Sequence, residues 1–241
     1  MVTTSAIENV GDDNNVFNYT SREFRLPRTL FPHFYDLSIQ VHLHGNKSQA
    51  FFFNGSVTIN VFCSVSTTEF FVHASDNLNV SLNQIHMSRL HEKNQTSSII
   101  EIDDVSYFQD AECYRIKLKT PLQPHTYYNL TFGQFRSDMD YDSDGLYISR
   151  YLENGIYKHL ASTDLEPSDA RSIFPCWDEP EFKAKFKFTV WARPDKIRSA
   201  EYSLDIGIKL LGYFEDYFGI PYSLPKMGRY FTQMCSRLIY V

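Results

Sequence analysis

The sequence predicts a mainly β protein, an antiparallel sandwich or saddle-shaped sheet, followed by a short α-helical segment. Three observations predict it. Phe and Tyr supply most of an aromatic content of 16%, and such side chains suit pleated surfaces better than exposed helices. Apolar and polar residues alternate with a period of two in several stretches. Between those stretches lie Asn, Asp, Pro and Gly clusters with turn chemistry.

Residues 1–23 are polar and rich in Asn, Asp, Ser and Thr, with too little apolar surface to offset the cost of ordering, so a disordered lead-in is expected. In "FYDLSIQVHL", Tyr35, Leu37, Ile39, Val41 and Leu43 point one way and Asp36, Ser38, Gln40 and His42 the other. That is a half-buried strand with one wet face. "GSVTINVFC" repeats the pattern, with Val57, Ile59 and Val61 alternating with Ser56, Thr58 and Asn60. "TEFFVHA", "ECYRIKLKT", "YYNLTF" and "AKFKFTV" repeat it less cleanly.

The texture changes after Val190. From about Ser199 to Phe218 the spacing predicts a helix: Ala200, Leu204, Ile208 and Leu211 form one apolar row, which Ile206, Leu210, Phe214 and Tyr217 widen. Only Glu201, Asp205, Lys209 and Asp216 keep a narrow wet stripe. Gly219 and Pro221 end the helix, and its wide apolar face calls for a packing partner. "MGRYFTQMCSRLIYV" has no clear period, and residues 227–241 read as an appended tail.

A net charge of -6 argues against nucleic acid as a partner, because phosphate binding needs a basic surface. The opening residues carry neither a basic nor an apolar signal-peptide region, and no apolar run is long enough to span a bilayer. Against that, Asn18, Asn46, Asn54, Asn79, Asn94 and Asn129 each open an Asn-x-Ser/Thr triplet, whereas about two are expected by chance. Six acceptors point to a secreted or lumenal glycoprotein ancestry. The four cysteines, Cys63, Cys113, Cys176 and Cys235, contain no CxxC; one disulfide and four buried thiols are both open.

Familiar catalytic patterns are missing. In "HEKNQ", His91 and Glu92 are followed by Gln95 where a helical zinc-peptidase site needs a second His, and the segment overlaps the triplet at Asn94. His42 and His44 share a strand face, yet no third ligand stands nearby. Solvated histidines explain them better. There is no G-x-S-x-G elbow, Cys176 has no His in its sequence neighbourhood, and no phosphate loop occurs. No catalytic residue and no metal ligand is assigned.

What stands out is "TDLEPSDARSIFPCWDEPEFKAKF", residues 163–186, dense in both charge and aromatic surface. A structural account has Pro167, Pro175 and Pro180 fixing turns, Phe174, Trp177 and Phe182 anchoring them in a core, and Arg171 pairing with Asp169, Asp178 or Glu179. A functional account has an acid on a turn beside a cleft holding a substrate ammonium.

The wording of this stretch, "EPSDARSIFPCWDEPEFKAKF", resembles the signature near the end of the amino-terminal domain of the M1 zinc aminopeptidases, the aminopeptidase N group. "FRLPRTLFPHFYDLSIQVHL" resembles that domain's opening, "DGLYISRY" another landmark, and "AEYSLDIGIKLLGYFEDYFGIPYSLPK" the start of the catalytic domain. The resemblance implies a saddle-like antiparallel β domain over residues 24–190 and the start of a catalytic domain over 191–226. It also implies the family's zinc-dependent removal of the first amino acid from peptides. Peptide N-termini are the family's binding partners. Glu166 falls where the family's acid binds the free α-amine of the substrate. The residue two before it is usually Gln in the family and is Asp164 here, which implies different contacts in the first pocket. Many members are plasma-membrane ectoenzymes or secreted glycoproteins.

The departures set the expectation for this chain. "KFKFTV" runs directly into "WARPDKI", where the family has several further strands, so an internal deletion is expected to join Val190 to Trp191. Neither HExxH nor GAMEN occurs. Without zinc ligands and the catalytic Glu, the chain is expected to bind no zinc and to be inactive as written, a truncated aminopeptidase. The competing expectation is a noncatalytic glycosylated β module that binds a peptide or associates with a full-length aminopeptidase.

Overall fold

The computed structural model describes residues 25–43, 51–90, 98–141, 144–191, 209 and 212–219. The lead-in over 1–23, the tail over 227–241, most of the predicted 199–218 helix, and His44, His91, Glu92, Cys235, Asn18, Asn46 and Asn94 lie outside the described residues. The fold is mainly β, as the alternation predicts. Of the predicted helix, residues 209 and 212–218 fall among the described residues, and they are helical.

One seven-stranded sheet dominates. Its strands are β1 (Leu30–His42), β2 (Phe52–Cys63), β4 (Asn79–Val80), β5 (Ile85–Arg89), β6 (Ile99–Ile100), β9 (Thr126–Asp138) and β12 (Lys185–Trp191). They lie in the order β12-β1-β2-β9-β5-β6, with β4 also paired to β9. A three-stranded sheet, β3-β8-β7, is made by β3 (Glu69–His73), β7 (Ile102–Phe108) and β8 (Cys113–Leu118). A separate hairpin joins β10 (Gly145–Glu153) to β11 (Ile156–Asp164).

The period-two pattern decides the faces. Tyr35, Leu37 and Ile39 of β1 and Val57, Ile59 and Val61 of β2 are buried. The opposite face carries neutral polar ladders, in which Thr58 bonds Thr131 across strands and Asn60 bonds Asn129. Phe53, Phe132 and Phe135 also sit in the core. Two glycines serve close approach. A Cβ at Gly55 would lie 2.6 Å from the Ser38 carbonyl oxygen, and at Gly145, whose φ is +65°, it would strike the Ser172 hydroxyl.

All named strand pairings are antiparallel except one: β12 lies parallel to β1, from Phe34 opposite Lys185 to Gln40 opposite Trp191. A parallel neighbour needs a long crossover, and here the chain between β1 and β12 includes the rest of the fold. Phe186 of β12 stacks on Tyr35 of β1 with ring centroids 4.5 Å apart, and Lys187 donates to Asp36 at 2.9 Å. The strand continues through Val190 and Trp191.

Candidate functional site

The stretch 163–186 leaves β11, makes a turn, and returns to the sheet as β12. Its middle is held by buried side chains. Phe174 and Trp177 are 2% and 4% exposed, and Ile173, Cys176 and Phe182 are also buried. Cys176 exchanges two backbone hydrogen bonds with His73, at 2.9 and 3.0 Å, which staples the stretch to the edge of β3. The Tyr35 hydroxyl accepts a hydrogen bond from the Trp177 N–H at 3.1 Å. The three aromatic anchors are therefore buried as the structural account expects, and Pro167 and Pro180 lie in turns, whereas Pro175 does not.

Arg171 selects Asp178 among its three sequence candidates. Its Nε donates to Asp178 Oδ2 at 3.0 Å, its Nη2 donates to the Asp178 carbonyl at 3.2 Å, and its Nη1 donates to Glu112 Oε2 at 3.4 Å. The backbone N–H of Arg171 also points to Asp178 Oδ2 at 3.3 Å. Glu179 turns elsewhere: it accepts from the Leu26 N–H at 2.7 Å and lies 3.8 Å from Arg25. Asp169 has its carboxyl raised above the ordinary value by burial and by the neighbouring Asp144, Asp178 and Glu112 carboxylates.

His73 was not legible as part of this assembly. Its Nδ1 accepts a hydrogen bond from the Asp178 N–H at 3.2 Å. Burial, aided by the Arg171 and Arg25 charges, lowers its pKa to about 3. The ring is therefore neutral near pH 7, which is what an acceptor nitrogen requires. Glu112 and Tyr35 were missed too. Both lie too far along the chain from Arg171 and Trp177 for spacing to reveal them.

Cys113 and Cys176 flank His73 from opposite strands, so about 10 Å, two strand spacings, separates them, too far for a disulfide. Cys63, Cys113 and Cys176 are free and buried. Burial pushes the Cys113 thiol up to about 12 and raises those of Cys63 and Cys176. Neither nucleophilic nor redox chemistry suits such thiols.

Glu166 sits at the other extreme. It is exposed, on the turn between β11 and the Ala170–Ser172 3-10 turn. The Glu166–Pro167 peptide is cis. Its N–H donates to Asp164 Oδ1 at 3.4 Å, while no donor reaches its carboxylate among the described residues. The arrangement is an uncommitted acid on a turn whose downstream side is anchored in the core.

An open depression of about 250 Å³ on the polar face of the large sheet is lined by neutral residues including Gln40, Asn54, Gly55 and Gln134, so it offers no acid–base pair. Among the described residues no group of three or more His, Cys, Asp or Glu side chains is placed to hold a metal ion. His42 is engaged otherwise: its Nε2 lies 2.7 Å from Asn54 Oδ1 and its ring stacks on Phe52. The described residues thus do not fit a zinc ion.

The family profile described as Peptidase M1 N-terminal domain matches residues 31–202. The chain belongs to the peptidase M1 family. Similar relatives include aminopeptidase N of Canis lupus familiaris, 34% identical over 167 residues that cover 69% of this chain and 17% of that protein. Aminopeptidase N of Rattus norvegicus is 30% identical over 188 residues, covering 78% and 19%. Aminopeptidase Q of Homo sapiens is 27% identical over 284 positions, covering 85% and 28%. The chain thus spans less than a third of these M1 relatives' lengths, and the fold above is that of an aminopeptidase N-like amino-terminal domain. No helix among the described residues is long and apolar enough to cross a membrane.

Proposed function

We propose that this chain is the amine-recognising β domain of a zinc-dependent aminopeptidase, with Glu166 as the group that binds the free α-amine of a peptide. The observation that carries the reading is a contrast within residues 163–186: Arg171 and Asp178 form a largely buried ion pair, whereas Glu166 is exposed on a turn and no donor reaches its carboxylate among the described residues. A carboxylate so held offers charge-assisted hydrogen bonds to an ammonium without first breaking an existing ion pair. The names of the M1 relatives, all aminopeptidases, support the substrate class.

The 241 residues by themselves do not hydrolyse peptides in this reading. Zinc supplies a polarised carbonyl and an activated water in the family, and the sequence contains neither HExxH nor GAMEN. An internal deletion at Val190–Trp191 is part of the same proposal. The match to aminopeptidase Q runs over 284 positions, more than the 241 residues of this chain, so that relative carries residues inside the matched stretch that have no counterpart here. Residues 24–190 would then be the β domain and 191–226 the start of the catalytic one. Long-read transcripts across the junction test this: reads that restore the intervening strands support it, and reads from related loci that also lack them contradict it.

The amine-binding role is tested by titrating the chain with a peptide bearing a free N-terminus and with its N-acetylated form while following backbone amide resonances of residues 164–168. One charge-assisted contact corresponds to roughly millimolar or weaker affinity. The free amine is expected to shift these resonances and Glu166→Gln to abolish the shift. Equal shifts from both peptides would contradict the role.

A further inference from the structure

Three of the Asn-x-Ser/Thr triplets fall among the described residues, and cross-strand register puts all three asparagines on one face. Asn54 lies opposite Arg136, and Asn79 lies opposite the same Arg136 from the other side. Asn129 lies opposite Asn60 and Ser88. This is the polar face of the seven-stranded sheet, yet the three positions differ physically.

Asn54 belongs to a strand paired on both sides, opposite Gln40 and Arg136. Its carboxamide oxygen is bonded to His42, whose ring is stacked on Phe52 at 4.2 Å. Asn129 is likewise mid-sheet and half-buried, and its carboxamide oxygen accepts from Asn60 Nδ2 at 3.2 Å. Asn79 is exposed, on a two-residue strand paired only with β9. The neighbouring Arg136 leans away, its guanidinium 3.7 Å from the Phe52 ring centroid and paired with Asp138.

We propose that Asn79 is the residue of this sheet that carries an N-linked sugar in the folded protein, while Asn54 and Asn129 serve as hydrogen-bonding residues of the polar ladder. The donor is a lipid-pyrophosphate-linked oligosaccharide. The Asn79 Nδ2–C1 bond forms, the C1–oxygen bond to the pyrophosphate breaks, the pyrophosphate leaves with the electron pair, and Nδ2 gives up one proton. Transfer to a triplet precedes folding, so the folded sheet does the selecting. A sugar at Asn79 meets solvent. One at Asn54 or Asn129 must be fitted among side chains on both flanking strands. The inference rests on the fold and not on the peptidase reading.

The test directs the full 241-residue chain into the secretory lumen with an added leader and maps glycosylated asparagines in the soluble, protease-resistant fraction by enzymatic deglycosylation in heavy-oxygen water. Occupancy at Asn79 is expected to exceed that at Asn54 or Asn129 about tenfold, and Asn79→Gln to remove it. Equal occupancy at the mid-sheet positions, or none at Asn79, overturns the proposal. A second measurement is independent of secretion. In chain from a non-glycosylating host, Asn79→Arg is expected to leave Tm unchanged, whereas Asn54→Arg and Asn129→Arg lower it by about 3 °C or more. A loss at Asn79 equal to the other two overturns the proposal as well.

Discussion

The Arg171 guanidinium holds Asp178 twice, donating from Nε to its carboxylate at 3.0 Å and from Nη2 to its backbone carbonyl at 3.2 Å. Both side chains are about 85% buried, with 15% and 14% exposed. One residue thereby fixes both the chain path and the charge at the centre of the stretch, and Glu112 of the β7–β8 connection ties that centre to the three-stranded sheet.

Removing one partner of such a pair leaves an uncompensated buried charge. Arg171→Ala is therefore expected to destabilise the domain by about 3–5 kcal/mol, measured by urea unfolding. Glu166→Ala, on the exposed turn a few residues away, is expected to change stability by less than about 0.5 kcal/mol. Similar losses from both would show that Glu166 is part of the clamp.

Tyr35 and Trp177 give a second test. Tyr35→Phe removes the acceptor of the Trp177 N–H while keeping the ring against Phe186. A buried unsatisfied donor costs about 1–3 kcal/mol. A loss in that range, with near-ultraviolet ellipticity retained, is the expected result.

His73 makes the fold acid-sensitive. Its pKa falls from 6.5 to about 3 on folding, so the unfolded chain binds the extra proton between those values and stability rises with pH across that window. The contribution is complete above about pH 6.5, is lost as pH falls toward about 3, and amounts to about 5 kcal/mol at most. His73→Asn keeps an acceptor near the Asp178 N–H without a titrating ring. It is expected to flatten the stability profile between pH 6 and 4, measured by denaturant midpoints, as a direct consequence of the shift.

The three described thiols are buried with raised pKa values. In a Cys235→Ser variant, an aromatic disulfide reagent is expected to find no thiol under native conditions and three on denaturation. Fast native labelling of any of Cys63, Cys113 or Cys176 would contradict the packing described.

Much of the sheet was legible because burial on one face leaves a period-two trace: Leu37, Ile39, Val57, Ile59 and Val61 are buried as the alternation predicts. The direction of β12 was not, since "AKFKFTV" reads the same whether its neighbour runs parallel or antiparallel. In the charged stretch, residue types identified Phe174, Trp177 and Phe182 as anchors and Asp178 as one candidate partner of Arg171. His73, Glu112 and Tyr35 complete the assembly from distant strands, and long-range pairing leaves no local spacing to read. The exposure of Glu166 was also invisible, because it follows from which neighbours the fold turns inward.

The most direct test of the account combines metal content with turnover in the full 241-residue chain supplied with zinc. The account predicts less than about 0.1 zinc per chain after desalting and no release of a fluorogenic aminoacyl amide above buffer. One zinc per chain, with aminopeptidase activity that a chelator abolishes, would contradict it.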